Sequence, residues 1–170
     1  MIRALWLCVP ALVLQAQSSL VPGAVEIRSN VFVLRGLPNE ETCAAMKRYK
    51  FTHVIDLRQD GETNLNCEDE SFRVQEAGMS YLRYAISKAP PAGDFDFLRT
   101  LIRDLPKGSR VLIHCSNGNR AAAAVCPWLV LDRGVAVDEA LNLARKAGLQ
   151  HPETEAALRT YFAERVGLKG

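Results

Sequence analysis

The chain has 170 residues, 48% of them apolar and 24% charged, with a formal net charge of +2. That balance suits one globular domain with a full-sized core. The charge, +1 once a leader carrying Arg3 is removed, is too small to argue for nucleic acid or a membrane surface as partner.

The first stretch, 1–16, reads as a secretory signal peptide. Arg3 supplies a positive start, Ala4 to Leu14 is an apolar run, and Leu14-Gln15-Ala16 offers a small residue for cleavage. The apolar run is too short to span a bilayer as a helix, so no stable membrane insertion is expected after cleavage. The competing reading is a buried N-terminal strand or helix. Export to the periplasm or the medium would leave Cys43, Cys67, Cys115 and Cys126, of which Cys43 and Cys67 can pair in an oxidising compartment. No Cys/His spacing resembles a zinc site, and His53, His114 and His151 are scattered, so neither metal nor other cofactor is expected.

Residues 17–29 read as a linker into a domain covering 30–170. Val31 to Leu34 is a short strand, and Gly36-Leu37-Pro38-Asn39 a turn whose Asn39 can cap a helix to about Tyr49. Phe51 to Leu57 is the next strand, followed by a polar loop from Arg58 to Cys67. Glu68 to Ala77 is a surface helix anchored by Phe72, Val74 and Ala77, ended by Gly78, and Tyr81 to Ile86 is a third strand. The proline-bearing loop 87–93 precedes a helix in which Phe95, Leu98, Leu101, Ile102 and Leu105 share one face.

Val111, Leu112 and Ile113 form a strand buried on both faces. Ala121 to Leu131 is a nearly all-apolar helix that Pro127 is expected to bend or break. Val137, Ala140, Leu141 and Ala144 give another helix, closed by Gly148. A last one opens at Pro152 and is anchored by Leu158, Phe162 and Val166. Strands alternating with helices imply a single-domain α/β fold with a largely parallel sheet of about four strands flanked by helices.

The chemistry is concentrated between the last strand and the alanine-rich helix, in His114-Cys115-Ser116-Asn117-Gly118-Asn119-Arg120. A tight turn between strand and helix aims backbone N–H groups and the positive end of the helix at one spot. A cysteine facing such a cradle is expected to ionise well below the usual value of about 8.5. Arg120 adds a planar fork of donors suited to a tetrahedral oxyanion. Gly118 permits the backbone angle that the turn needs. A nucleophile inside an oxyanion site is equipped to attack a phosphate or a sulfane sulfur.

These residues resemble the active-site loop of cysteine-dependent phosphatases of the dual-specificity type. They are more closely similar to the bacterial beta-lactamase-hydrolase-like phosphatases, whose loop also reads Cys-x-x-Gly-x-Arg. The resemblance extends to Arg35-Gly36-Leu37-Pro38, Val54-Ile55-Asp56-Leu57-Arg58 and Ala140 to Gly148. It implies a cysteine-phosphatase-like fold and hydrolysis of a phosphate monoester through a cysteinyl-phosphate on Cys115. Phosphate would then be held by Arg120 and the amides of Ser116, Asn117, Gly118 and Asn119, with His114 acting on the thiol. It also places the 58–67 loop beside the site, so that Arg58 can bind substrate and Glu62 orient Arg58 or Arg120. The substrate expected is a phosphorylated protein or small molecule, with no nucleic acid. The general acid is sought before the catalytic strand, where Asp94 and Asp96 stand.

Ordinary phosphatases place five residues between Cys and Arg; here there are four, the spacing of rhodanese-type sulfurtransferases. A Cys115 persulfide is therefore the alternative chemistry. A second alternative is an inactive module that binds phosphorylated ligands.

Overall fold

Alternation of side chains along the strands decides the layers, because successive residues of a strand face opposite sides of the sheet. Val31, Val33, Ile55, Val111 and Ile113 face one core; Phe32, Leu34, Val54 and Leu112 face the other. In this computed structural model, which describes residues 20–62 and 66–167, the order is β1 (Ala24–Arg28), β2 (Val31–Leu34), α1 (Glu40–Arg48), β3 (His53–Asp56), α2 (Cys67–Glu76), β4 (Ser80–Arg83), α3 (Ala92–Arg103), β5 (Val111–His114), α4 (Asn119–Leu131), α5 (Val137–Ala147) and α6 (Pro152–Val166). The expected leader, 1–16, lies outside the described residues. Among those residues no helix is long and apolar enough to cross a membrane.

The chain forms one α/β domain. Its five-stranded sheet runs in the order β1-β2-β5-β3-β4, and all neighbours are parallel except β1 and β2. The fifth strand, β1, occupies Ala24–Arg28 within the stretch expected as a linker, of which residues 17–19 lie outside the described residues. β1 forms a hairpin with β2 through Ser29 (φ 50°) and Asn30 (φ 68°), the paired left-handed residues of a tight hairpin turn. Ser-Asn is a weaker hairpin signal than Asn-Gly, and Asn30 N–H is held instead by the Glu26 carboxylate at 3.1 Å.

One core packs α1 and α2 on the sheet through Cys43, Met46 and Val74. The other packs α3 to α6 through Phe95, Leu98, Ala121 to Val125, Leu141, Leu158, Tyr161 and Phe162. Phe72 and Val166, expected as anchors, are 66% and 42% exposed; Val74, Leu158 and Phe162, expected with them, are buried, as is Tyr161. Pro127 lies inside α4 without ending it. Cys43 and Cys67 are both free thiols, so the proposed pairing is absent. Cys43 is buried on α1, where burial pushes its thiol up, while the Cys67 sulfur lies 4.0 Å from Asp56.

Register brings the site together. His114 at the end of β5 lies between Leu34 on β2 and Asp56 on β3, and Asp56 pairs with Arg83 on β4. The carboxyl edge of the parallel strands, the usual place for a ligand, therefore carries His114 in its middle.

The alanines 121–124 have no accessible surface, which lets α4 lie close to its neighbours. Ala123→Leu is expected to overpack this contact and lower the unfolding free energy by about 1–3 kcal/mol, read by urea denaturation. An unchanged midpoint would show that the helix has room to spare.

Candidate active site

Between β5 and α4 the backbone reverses at Gly118, whose φ of 88° is in the left-handed region. A Cβ there would meet the Arg35 Cα at 3.1 Å and the Ala147 carbonyl oxygen at 3.2 Å. Two constraints thus demand glycine, one conformational and one steric. Gly148, read from sequence only as the end of a helix, packs on the same turn: a Cβ on it would lie 3.3 Å from the Gly118 carbonyl carbon.

Asn119 fastens the loop to α6. Its Oδ1 accepts from the N–H groups of Gln150 and His151, both at 2.9 Å, and its Nδ2 donates to Thr154 Oγ1 at 2.7 Å. Thr154 Oγ1 in turn donates to the Lys88 carbonyl at 2.5 Å. The Asn119 side chain is therefore structural, whatever its backbone N–H does. That N–H donates to Asn117 Oδ1 at 3.2 Å, and the Cys115 sulfur lies 3.8 Å from the same oxygen.

Arg120 sits in the first turn of α4, and its guanidinium is held on several sides. Nη1 donates to the carbonyls of Leu57 (3.3 Å) and Ile86 (3.1 Å) and to Glu62 Oε1 (2.6 Å); Nη2 donates to Glu62 Oε2 (2.8 Å) and Ser116 Oγ (3.3 Å). Burial opposes its charge, but Glu62 and Cys115 together outweigh that and raise its pKa. Glu62 also accepts from Ser116 Oγ and from the Gln59 N–H at 2.7 Å. Partial burial works against this carboxylate, yet the bonds from Arg120 and Ser116 hold it down at about 2. An ionised carboxylate thus occupies one edge of the arginine fork. Cys115 beneath has no accessible surface.

A second ionic group lies under the loop, on the α2 side of the sheet. His114 is two residues from Leu112 and Asp56 two from Val54, so both face α2. Arg58 Nε and Nη2 donate to the two oxygens of Asp56 at 2.9 and 2.7 Å, and Nη2 also donates to Glu70 of α2. Tyr81 Oη donates to Asp56 at 2.9 Å. Glu70 Oε1 approaches His114 Nε2 to 2.7 Å, off the line of the ring N–H. Asp56, Arg58, Glu70 and His114 are all at most 3% exposed. Burial opposes the charge of Asp56, but the Arg58 bonds prevail and hold it below the ordinary carboxylate range.

Asp56, Glu70 and His114 each offer a ligand atom within 4.8 Å of the others, the spacing of a metal site. Arg58 already donates to both carboxylates, so a guanidinium stands where a cation would.

A cavity of about 450 Å³ opens over the loop, lined by Gln59, Glu62, Lys88, Asn117, Arg120 and His151 among others. Ser116, Asn117, Asn119 and Arg120 line it, Gly118 does not, and Cys115 and His114 lie below. Two of the expected site residues have partners of their own. Arg58 touches the cavity, but its guanidinium is committed to buried carboxylates and braces the floor. Asp94 is not in the cavity lining and accepts from Tyr84 Oη at 2.9 Å; Asp96 is held by Tyr161 and Arg165 at 2.7 and 2.6 Å. Both belong to α3, whose first turn Pro91 opens.

Sequence reasoning gave no role to Glu70, Lys88 or His151. The first looked like one of several acids on a polar helix. Lys88 lies in the loop before α3 and His151 just before α6, and both line the cavity.

No family model and no curated protein matches the chain. Solved structures do. A DUF442 protein from Shewanella putrefaciens superposes with a TM-score of 0.68 at 24% identity, over 85% of this chain and 93% of that one. Tk-PTP in its active form gives 0.67 at 26% identity, over 82% and 96%. PTPMT1 in complex with PI(5)P gives 0.69 at 18% identity, over 85% and 97%. The fold is that of the protein tyrosine phosphatases. Its neighbours are phosphatases of the tyrosine and dual-specificity kind, at low sequence identity.

The grip of Glu62 on Arg120 has a pH signature. The folded pKa of about 2 lies below the ordinary 4.5, so this carboxylate stabilises the fold above pH 4.5 and loses that effect as pH falls toward 2. The gap in melting temperature between wild type and Glu62→Gln should therefore be steady from pH 8 to about 5 and narrow below it. A gap that widens on acidification would contradict the contact.

Proposed function

We propose that the protein is a cysteine-dependent phosphatase that hydrolyses a phosphate monoester through a cysteinyl-phosphate on Cys115. The observation that carries this reading is the Arg120 guanidinium, held at the mouth of a Cys115 loop within a tyrosine phosphatase fold. The narrower likeness, to the beta-lactamase-hydrolase-like phosphatases, is supported by the loop and the flanking segments of the sequence. The incoming phosphoryl group takes the place on Arg120 that Glu62 fills, and the loop amides receive its remaining oxygens. Charge spreads over those oxygens as sulfur bonds to phosphorus and the alcohol leaves. Water then cleaves the phosphorus–sulfur bond and returns the thiolate.

The leaving oxygen needs a proton. With Asp94 and Asp96 engaged elsewhere and Glu62 a weak proton source, His151 is the cavity side chain suited to the task. Imidazole can hold and yield a proton near neutral pH. Its Nε2 lies 3.4 Å from Asn117 Nδ2, on the wall of the cavity. Lys88 on the same wall favours substrates whose alcohol portion carries acceptors or negative charge.

The six-residue loop also keeps the sulfurtransferase reading in play, since persulfide transfer needs no acid. Purified protein is assayed with p-nitrophenyl phosphate and, separately, with thiosulfate and cyanide. Turnover of the phosphate ester is expected, and its loss in Cys115→Ser. Turnover of thiosulfate alone would replace the phosphatase with a sulfurtransferase, and activity on neither would leave an anion-binding module.

His151→Asn should slow a phenyl phosphate with a poor leaving group by about 10²-fold or more while changing p-nitrophenyl phosphate much less. Equal effects on both esters would remove His151 from the acid's role.

A further inference from the structure

We infer that Glu70 is a positioning residue for the Cys115 nucleophile, acting through His114. This deepens the phosphatase reading and rests on it. Glu70 belongs to α2 and does not itself line the cavity; its contacts run to Arg58, which touches the cavity's edge, and to His114. Its Oε1 lies 2.7 Å from His114 Nε2, in a group of side chains with almost no exposed surface. Neither of these two atoms has an aligned hydrogen bond among the described residues, so each is the nearest polar complement the other has. The other carboxylate near this nitrogen, Asp56, stands at 3.9 Å and is taken up by Arg58, Tyr81 and the Arg58 N–H.

A carboxylate beside one ring nitrogen fixes the rotamer of an imidazole and which nitrogen carries the proton. The next residue along the chain is Cys115. The His114 carbonyl is itself tied to the Leu57 N–H at 2.9 Å, so the ring and the main chain that carries the sulfur are set together. Glu62, which follows β3, binds Arg120 and Ser116 above the loop. Two carboxylates thus hold the loop: Glu62 on the anion-binding side and Glu70 beneath the nucleophile. Removing Glu70 should impair the sulfur and leave anion binding intact.

Glu70→Gln is tested with three readouts. The first is the rate at which iodoacetamide alkylates Cys115, followed by mass spectrometry of its peptide. The second is kcat and KM for p-nitrophenyl phosphate, with the inhibition constant of inorganic phosphate. The third is the double variant Glu70→Gln with His114→Asn. Alkylation and kcat are expected to fall about tenfold, with KM and phosphate inhibition within about twofold. The double variant should be no worse than His114→Asn alone, because the effect of Glu70 passes through that ring. Wild-type alkylation in Glu70→Gln, or losses that add in full in the double variant, would overturn the inference. A parallel rise in KM and in the phosphate inhibition constant would do the same, showing a collapsed cradle. If Glu70→Gln fails to unfold cooperatively, Glu70→Asp serves. It keeps the charge near Arg58 but withdraws it from His114, and the same slowing is expected; a wild-type rate again overturns the inference. Alkylation reads the sulfur without turnover, so an inactive wild type would sink the phosphatase reading and leave the positioning role separately decided.

Discussion

Beneath the loop, Asp56, Arg58, Glu70 and His114 meet out of contact with water. Taking such groups out of solvent costs several kcal/mol each, and removing one partner of a buried pair typically costs about 3–5 kcal/mol. Such an arrangement persists only if every member is placed well. The sheet register places Asp56 beside His114, and α2 then has to bring Glu70 over both. The orientation of the loop follows, because its first residue is anchored in this group and its last, Arg120, is held by Glu62 and the carbonyls of Leu57 and Ile86. The apolar cores give the fold its stability, and the ionic floor, on the inference drawn above, sets where the sulfur stands.

How much of this is legible in the sequence depends on the range of the contacts involved. The strand, turn and helix around Cys115 are local: an apolar run, a glycine and a row of alanines specify them, and the structure reproduces that order. The parallel sheet follows from strands alternating with helices. β1 escaped because its turn residues, Ser29 and Asn30, are not the usual hairpin pair, and because Ala24 to Arg28 mixes apolar and charged residues. Phe72 misled for another reason: a large aromatic residue on a polar helix looks like an anchor, yet here it faces solvent and Val74 does the packing.

The site divides along the same line. Cys115, Arg120 and Gly118 announce themselves by spacing. Arg58 is a charged residue in a charged loop, and only the fold shows that its guanidinium turns inward to Asp56 rather than outward to a ligand. Asp94 lies in the segment where relatives often keep an acid, but its carboxylate is taken by Tyr84. His151 is thirty-six residues from Cys115 in the chain and reaches the cavity because the Asn119 side chain accepts from its N–H and that of Gln150. No periodicity or motif encodes a contact of that kind.

Glu62 raises the question of how a site filled by its own carboxylate can admit a substrate. Its hydrogen bonds come from Arg120, Ser116 Oγ and the Gln59 N–H, and none comes from a backbone amide of the loop itself. A carboxylate is planar and has two oxygens, so it can satisfy one edge of a guanidinium and little more. A phosphoryl group is tetrahedral and presents three oxygens to a ring of donors. On the proposed reading it gains the amides that Glu62 leaves unused, together with the positive end of α4. That difference grows as negative charge moves onto the equatorial oxygens, which favours the transition state over the resting contact. On that reading Glu62 serves as a counterion that keeps a buried guanidinium in place until a better-shaped anion replaces it.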